Sequence, residues 1–127
     1  FVLDHVAKPD IRNGRLEAWE RDLRRLAQFP NVWCKLSGLV TEADWSGWTA
    51  GQIRPCLDVA FDCFGPERLM IGSDWPVCTV AADYARTMKI VMEYLAGHPR
   101  EEREAVLGGN AQRFWKLDVD AVIEERS

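Results

Sequence analysis

The sequence predicts an α/β fold built on a small parallel sheet, and two observations carry that prediction. Three short apolar segments, residues 1–5, 32–37 and 68–74, recur along the chain, and helix-period patterns separate and follow them. Strands that alternate with helices pair in parallel. The spacing from each strand to the next fits a single βα unit. Three strands with three or four helices make an open doubly wound sheet or a piece of a larger barrel, and helix-covered parallel sheets usually have more strands.

Each element follows from its own pattern. Phe1-Val2-Leu3 reads as a buried strand without a polar lead-in, so the chain is expected to begin in mid-fold. From Leu16 the apolar residues Leu16, Trp19, Leu23, Leu26 and Ala27 recur at three- and four-residue steps, with Glu17, Arg21, Asp22 and Arg25 on the other side. That is an amphipathic helix, stopped by Pro30. A second helix is expected to start between Thr49 and Arg54 with Pro55 in its first turn. It should end at Gly65-Pro66 and bury Ile53, Leu57, Ala60, Phe61 and Phe64. A third, over about residues 81–96, turns Tyr84, Met88, Val91, Met92 and Leu95 inward and ends at Gly97 before Pro99. After a break at Gly108-Gly109, Asn110 is expected to cap a last short helix. Residues 1–117 then form one unit without a linker, and residues 118–127 an acidic tail.

Composition narrows the function classes. The 127 residues carry 16 Lys plus Arg against 20 Asp plus Glu, a net charge of -4, which argues against a polybasic nucleic-acid binder. No apolar run approaches the ~20 residues that span a bilayer, so neither nucleic acid nor membrane is an expected partner. Cys34, Cys56, Cys63 and Cys78 include no C-x-x-C pair and read as buried reduced thiols. Cys56 and Cys63, seven apart on one helix, share a face with Leu57, Ala60 and Phe64. A reducing cytoplasm is the expected compartment.

In a parallel α/β fold, ligands gather at the carboxyl ends of the strands, so the polar residues there matter most. The first strand runs into Asp4-His5-Val6-Ala7-Lys8-Pro9, an acid, an imidazole and an ammonium together. Strand alternation sends Asp4 and His5 to opposite faces. With His5 on the inner side, Asp4 reads as a structural acceptor and His5 as functional. His98, in the helix-ending Gly97-His98-Pro99, reads as structural. The third strand ends Ile71-Gly72-Ser73-Asp74-Trp75-Pro76, which puts a carboxylate at its tip too far from the next helix to cap it. Gly72, on the same side as Asp74, is expected to leave room there for a ligand or a close backbone approach. Lys35, inside an otherwise apolar strand, has to reach solvent, a counter-charge or an anionic ligand. Residues 41–48 hold Glu42, Asp44, Trp45 and Trp48, either an aromatic flap over the strand ends or a loop packed by its own tryptophans. No G-x-G-x-x-G, phosphate-binding loop, G-x-S-x-G elbow or H-E-x-x-H occurs, so nucleotide and cofactor readings have no anchor.

Asp4-His5-Val6-Ala7-Lys8-Pro9, Lys35-Leu36-Ser37-Gly38, Gly72-Ser73-Asp74-Trp75-Pro76 and Gly109-Asn110-Ala111, in this order and spacing, resemble the amidohydrolase-related proteins. The branch most resembled is that of sugar lactonases and 2-pyrone-4,6-dicarboxylate lactonase. The resemblance implies a (β/α)8 TIM barrel of the metal-dependent hydrolase type, of which this chain supplies the carboxyl-terminal three βα units. It implies opening of a lactone to a hydroxy acid, with Asp74 and His5 catalytic and Lys8, Lys35 and Trp75 touching an acidic or hydroxylated small-molecule substrate. It also implies either no cofactor or a divalent metal such as zinc, held in part by His5 and Asp74; the superfamily's His-x-His pair is absent. Three strands cannot close a barrel, so self-association or pairing with an amino-terminal half is expected, and the chain alone is expected to be inactive. A decarboxylase or amide hydrolase on the same scaffold, and a non-catalytic half-barrel serving assembly, are the rival readings.

Overall fold

The computed structural model describes residues 1–118. The expected acidic tail lies outside the described residues except for Asp118. Three parallel strands form one sheet in the order β1-β2-β3, with β1 at Val2–Leu3, β2 at Trp33–Leu36 and β3 at Leu69–Ile71. Val2 pairs with Trp33 and Leu3 with Cys34, while Cys34, Lys35 and Leu36 pair with Leu69, Met70 and Ile71. All three strands are shorter than the apolar segments that announce them. The residues after each strand leave the ladder to form the loops that carry the polar groups.

The helices are α1 (Glu17–Ala27), α2 (Ala50–Phe64) and α3 (Tyr84–Leu95), followed by α4 (Arg100–Glu104), a widened π turn (Ala105–Gly109) and α5 (Asn110–Phe114). α1 buries Leu23 and Ala27 against α2, and α2 lays Ile53, Cys56, Leu57, Ala60 and Phe64 against the sheet. With Cys34, Leu36 and Leu69 from the strands, these residues form one core on one side of the sheet. The other side, which carries Trp33 and Lys35, meets α5 and the turn after it. There Phe114 packs edge-on to Trp33 at 5.4 Å, and the Lys35 ammonium lies 5.8 Å over the Trp115 ring.

Three expectations need correction. Pro55 stands in the second turn of α2, not the first; its ring faces the carbonyl of Gly51, which loses its intrahelical donor there. α2 starts at Ala50 because the Thr49 amide donates to Gln52 Oε1 at 3.0 Å, the return half of a capping box. α3 starts at Tyr84, where Asp83 accepts the Arg86 amide at 2.7 Å, and it buries Thr87, Val91 and Leu95. Tyr84, in its first turn, and Met92, about 100° round from Val91, point outward instead of inward. Asn110 is not a cap. It is the first residue of α5, wholly buried, and its amide donates to the carbonyls of Pro66 and Leu69, tying the last helix to the start of β3.

Arg68 makes a second tie that apolar patterning does not reveal. Its guanidinium donates to the carbonyls of Ala27, Phe29 and Val32, each at 3.0 Å, and to that of Cys63 at 3.4 Å. One side chain thus satisfies carbonyls at the ends of both α1 and α2, which a helix leaves without intrahelical donors. His98 is structural, stacked on Phe61 at 4.7 Å, with Nδ1 donating to the Tyr94 carbonyl at 3.2 Å.

Candidate active site

The chain after β1 does not continue as a strand. Asp4–Ala7 form one tight helical turn, and His5, Val6, Ala7 and Lys8 all have left-handed backbones, with φ of 53°, 50°, 56° and 52°. Left-handed conformations cost L-residues energy, most of all a β-branched one such as Val6. The turn persists because its surroundings hold it. Val6 is completely buried, its carbonyl accepts the Trp19 indole N–H at 2.6 Å, and the Lys8 amide closes the turn on the His5 carbonyl at 2.9 Å. This turn, and not strand alternation, aims His5 across the ends of β2 and β3.

There the His5 ring meets the other two strand ends. Nδ1 lies 2.8 Å from the Ser37 hydroxyl, just past β2, and Nε2 lies 3.5 Å from Asp74 Oδ1, past β3. Asp74 also has a left-handed backbone, at φ 57°, and its Oδ2 accepts the Thr41 hydroxyl at 3.3 Å. Ser37, His5, Asp74 and Thr41 therefore form a continuous chain of polar contacts drawn from all three βα units. His5 and Asp74 side chains keep 29% and 13% of their surface, enough for a small molecule to reach both.

Two glycines make the space. A Cβ on Gly38, whose φ is +66°, would stand 2.9 Å from the His5 ring. A Cβ on Gly72 would stand 3.0 Å from that of Ser37. Gly72 thus makes room for the Ser37 side chain, where a ligand or a close backbone approach beside Asp74 was expected. Ser37 and Thr41 are the members that sequence reasoning missed. The signals for Ser37 were its place immediately after a strand and its presence in Lys35-Leu36-Ser37-Gly38.

The remaining candidates separate. Asp4 is a structural acceptor, pairing with Lys35 Nζ at 3.0 Å, and that hydrogen bond holds its carboxyl below the usual range. Lys35 has therefore found a counter-charge as well as a ring to lie over. Lys8 is largely exposed at the rim, 3.9 Å from Glu42, and Trp75 is 64% exposed beside Asp74. In the loop 41–48 the two tryptophans differ. Trp48 is buried, its indole donating to the Ala81 carbonyl at 2.9 Å, with the Arg86 guanidinium 4.1 Å over its ring; Trp45 is more than half exposed and donates to the Thr41 carbonyl at 2.8 Å.

Among the described residues no three His, Cys, Asp or Glu side chains converge. His5 and Asp74 supply two donors where a catalytic zinc takes three from protein. The donor set on this chain is not a zinc site by itself.

A parallel sheet with a histidine and an aspartate brought together across its carboxyl ends defines the class: an α/β scaffold whose polar groups gather in its βα loops. Within that class the chain belongs to the amidohydrolase family, whose model matches residues 1–117. It is 48% identical over 131 residues to an L-fucono-1,5-lactonase of Burkholderia multivorans, a match that covers 95% of this chain and 44% of that protein. A Burkholderia multivorans amidohydrolase crystallised with bound zinc superposes with a TM-score of 0.89 at 46% identity, over 92% of this chain and 44% of that one. A Pseudomonas putida structure named for 2-pyrone-4,6-dicarboxylic acid hydrolysis superposes with a TM-score of 0.71 at 28% identity, over 92% and 44% of the two chains. The chain spans less than half the length of these relatives. Nothing in the matches supports assigning it to the carboxyl-terminal units of the barrel, and that part of the expectation is withdrawn. Among the described residues no helix is long and apolar enough to cross a membrane.

Proposed function

We propose that this chain carries the proton-handling residues of a lactone hydrolase acting on a sugar or dicarboxylate lactone. The single observation that carries the reading is the 3.5 Å approach of His5 Nε2 to Asp74 Oδ1, at strand ends that stay open to a small molecule. The 48% identical L-fucono-1,5-lactonase supports the substrate class. In the reaction, Asp74 takes a proton from a water molecule as its oxygen bonds to the lactone carbonyl carbon. His5 donates toward the carbonyl oxygen as negative charge develops there. The ring C–O bond then breaks, and the proton held by Asp74 passes to the leaving alkoxide, giving a hydroxy acid.

Lys8 and Trp75, exposed on either side of this pair, are the groups offered to the substrate's carboxylate or hydroxyls and to its apolar ring face. Lys35, tied to Asp4, contributes indirectly by steadying the turn that bears His5. Among the described residues β1 and β3 each have a strand neighbour on one side only. Further βα units of a barrel pair with those edges, and zinc, where the completed barrel uses it, takes its other ligands from them. The four free thiols support a reducing compartment, the cytoplasm.

The test is hydrolysis of L-fucono-1,5-lactone, followed by proton release with and without a chelator. It compares this chain alone with the chain mixed with the complementary βα units of the Burkholderia multivorans relative. Activity is expected only in the mixture, and Asp74→Asn should lower it roughly 10²–10⁴-fold with the fold retained. No hydrolysis in either sample, or an Asp74→Asn mixture as active as its parent, sinks the reading.

A further inference from the structure

Ser37 is 5% exposed, it is pressed between Gly72 and the His5 ring, and its hydroxyl is 2.8 Å from Nδ1. No buried side-chain polar atom among the described residues lacks a partner, so this hydroxyl and the ring nitrogen satisfy each other. Which of them donates is decided on the far side of the ring. Nε2 faces Asp74, whose carboxylate accepts hydrogen bonds and has none to give. A neutral imidazole carries one N–H. Were it on Nδ1, the Nε2 lone pair would face a carboxylate oxygen 3.5 Å away, two electron-rich atoms opposed in a partly buried site. With the hydrogen on Nε2 the N–H faces the carboxylate 3.5 Å away, attraction in place of repulsion, and the bare Nδ1 accepts the Ser37 hydroxyl.

We propose that Ser37 is a positioning residue: it donates its hydroxyl hydrogen to His5 Nδ1, locks the neutral ring as the Nε2–H tautomer facing Asp74, and leaves Asp74 the sole proton acceptor of the pair. The consequence for catalysis rests on the lactone-hydrolase reading, since it makes Asp74 the base and the Nε2–H, 3.5 Å from Oδ1, the one hydrogen that His5 can turn toward the carbonyl oxygen; the position of the proton does not rest on it. Thr41, donating to Asp74 Oδ2, leaves Oδ1 as the oxygen shared between His5 and an incoming water.

The chain has two histidines, which makes the measurement direct. Ring nitrogens of the ¹⁵N-labelled chain are recorded by two-bond ¹⁵N–¹H correlation at a pH well above the ordinary histidine value of about 6.5. His98, whose Nδ1 must donate to the Tyr94 carbonyl, serves as an internal standard of the opposite tautomer. His5 is expected to show a pyridine-like Nδ1 and a pyrrole-like Nε2. In Ser37→Ala the ratio of the two His5 tautomers should fall about fivefold, the worth of one hydrogen bond, with the His98 signals unmoved. A pyrrole-like Nδ1, a ring still doubly protonated at that pH, or a Ser37→Ala spectrum identical to the parent's at His5 overturns the assignment. If Ser37→Ala loses its fold, the spectrum of the unaltered chain decides alone. Because no turnover is needed, the tautomer can fail while lactone hydrolysis stands, and the reverse.

Discussion

At Gly38 a hydrogen atom stands where any other residue would put a carbon 2.9 Å from the His5 ring, on a backbone already left-handed at φ +66°. Gly38→Ala therefore meets two penalties. It should lower stability by roughly 1–3 kcal/mol, read by urea denaturation, and push His5 off Ser37, read as loss of the parent's His5 ring signals. Trp19 acts on the same histidine from the other side, through its bond to the Val6 carbonyl. Trp19→Phe keeps the ring and removes the donor. It should cost about 1 kcal/mol and speed amide exchange at Val6 and Lys8 more than elsewhere. His5 and Asp74 were legible in the sequence because strand ends converge wherever parallel βα units occur. Ser37 and Thr41 were not, because hydroxyl residues are ordinary in loops and their partners here lie more than thirty residues away along the chain. The left-handed turn was illegible for a different reason. Nothing in the local propensities of His, Val, Ala and Lys favours it, and only burial of Val6 and bonds from distant residues impose it.

Among the elements, α5 depends on one side chain. Asn110, completely enclosed, gives its amide to two carbonyls at the start of β3 and accepts from Arg113. Asn110→Ala strands those partners and should cost roughly 2–4 kcal/mol, measurable as a lower urea midpoint. The helices themselves were readable because period and punctuation agreed: α1 stops short of Pro30 and α2 at Phe64, before Gly65-Pro66. Their ties were not readable. Asn110 after a glycine pair looks like a helix cap, and Arg68 opens the segment read as the third strand, yet each spends its donors on carbonyls that chain folding brings near. α3 shows the limit of apolar periodicity from the other direction. Tyr84 and Met92 match the helical stripe and still face outward, because the interface with α2 is narrower than the stripe.

For the molecule as a whole, charge and thiol chemistry report the integrity of the fold. The carboxyl of Asp4 is held below its usual value by Lys35, so the folded state binds that proton less readily than the unfolded one. The stability this contributes is present above the unfolded value, about 3.9, and fades as pH falls through the lower folded value. Lys35→Met should flatten that part of the acid limb of a denaturation series, leaving the neutral region nearly unchanged because exposed pairs contribute little. Burial pushes the Cys34 thiol up to about 12, whereas Cys63 is partly open beside Arg24. Alkylation of the folded chain should reach Cys63 first and Cys34 only on unfolding, a result read by peptide mass mapping; labelling of Cys34 at the same rate would show that the core opens freely.

The contact chain from Ser37 through His5 and Asp74 to Thr41 lies wholly between Asp4 and Trp75, one contiguous stretch of the sequence. Recombination with a foreign barrel would therefore carry all four contacting residues in a single exchange, while any crossover inside that stretch would split them. Chimeras joined outside these limits should keep the His5 ring signals of this parent, and chimeras joined inside them should lose those signals, a division of ancestry that shuffled libraries can exploit.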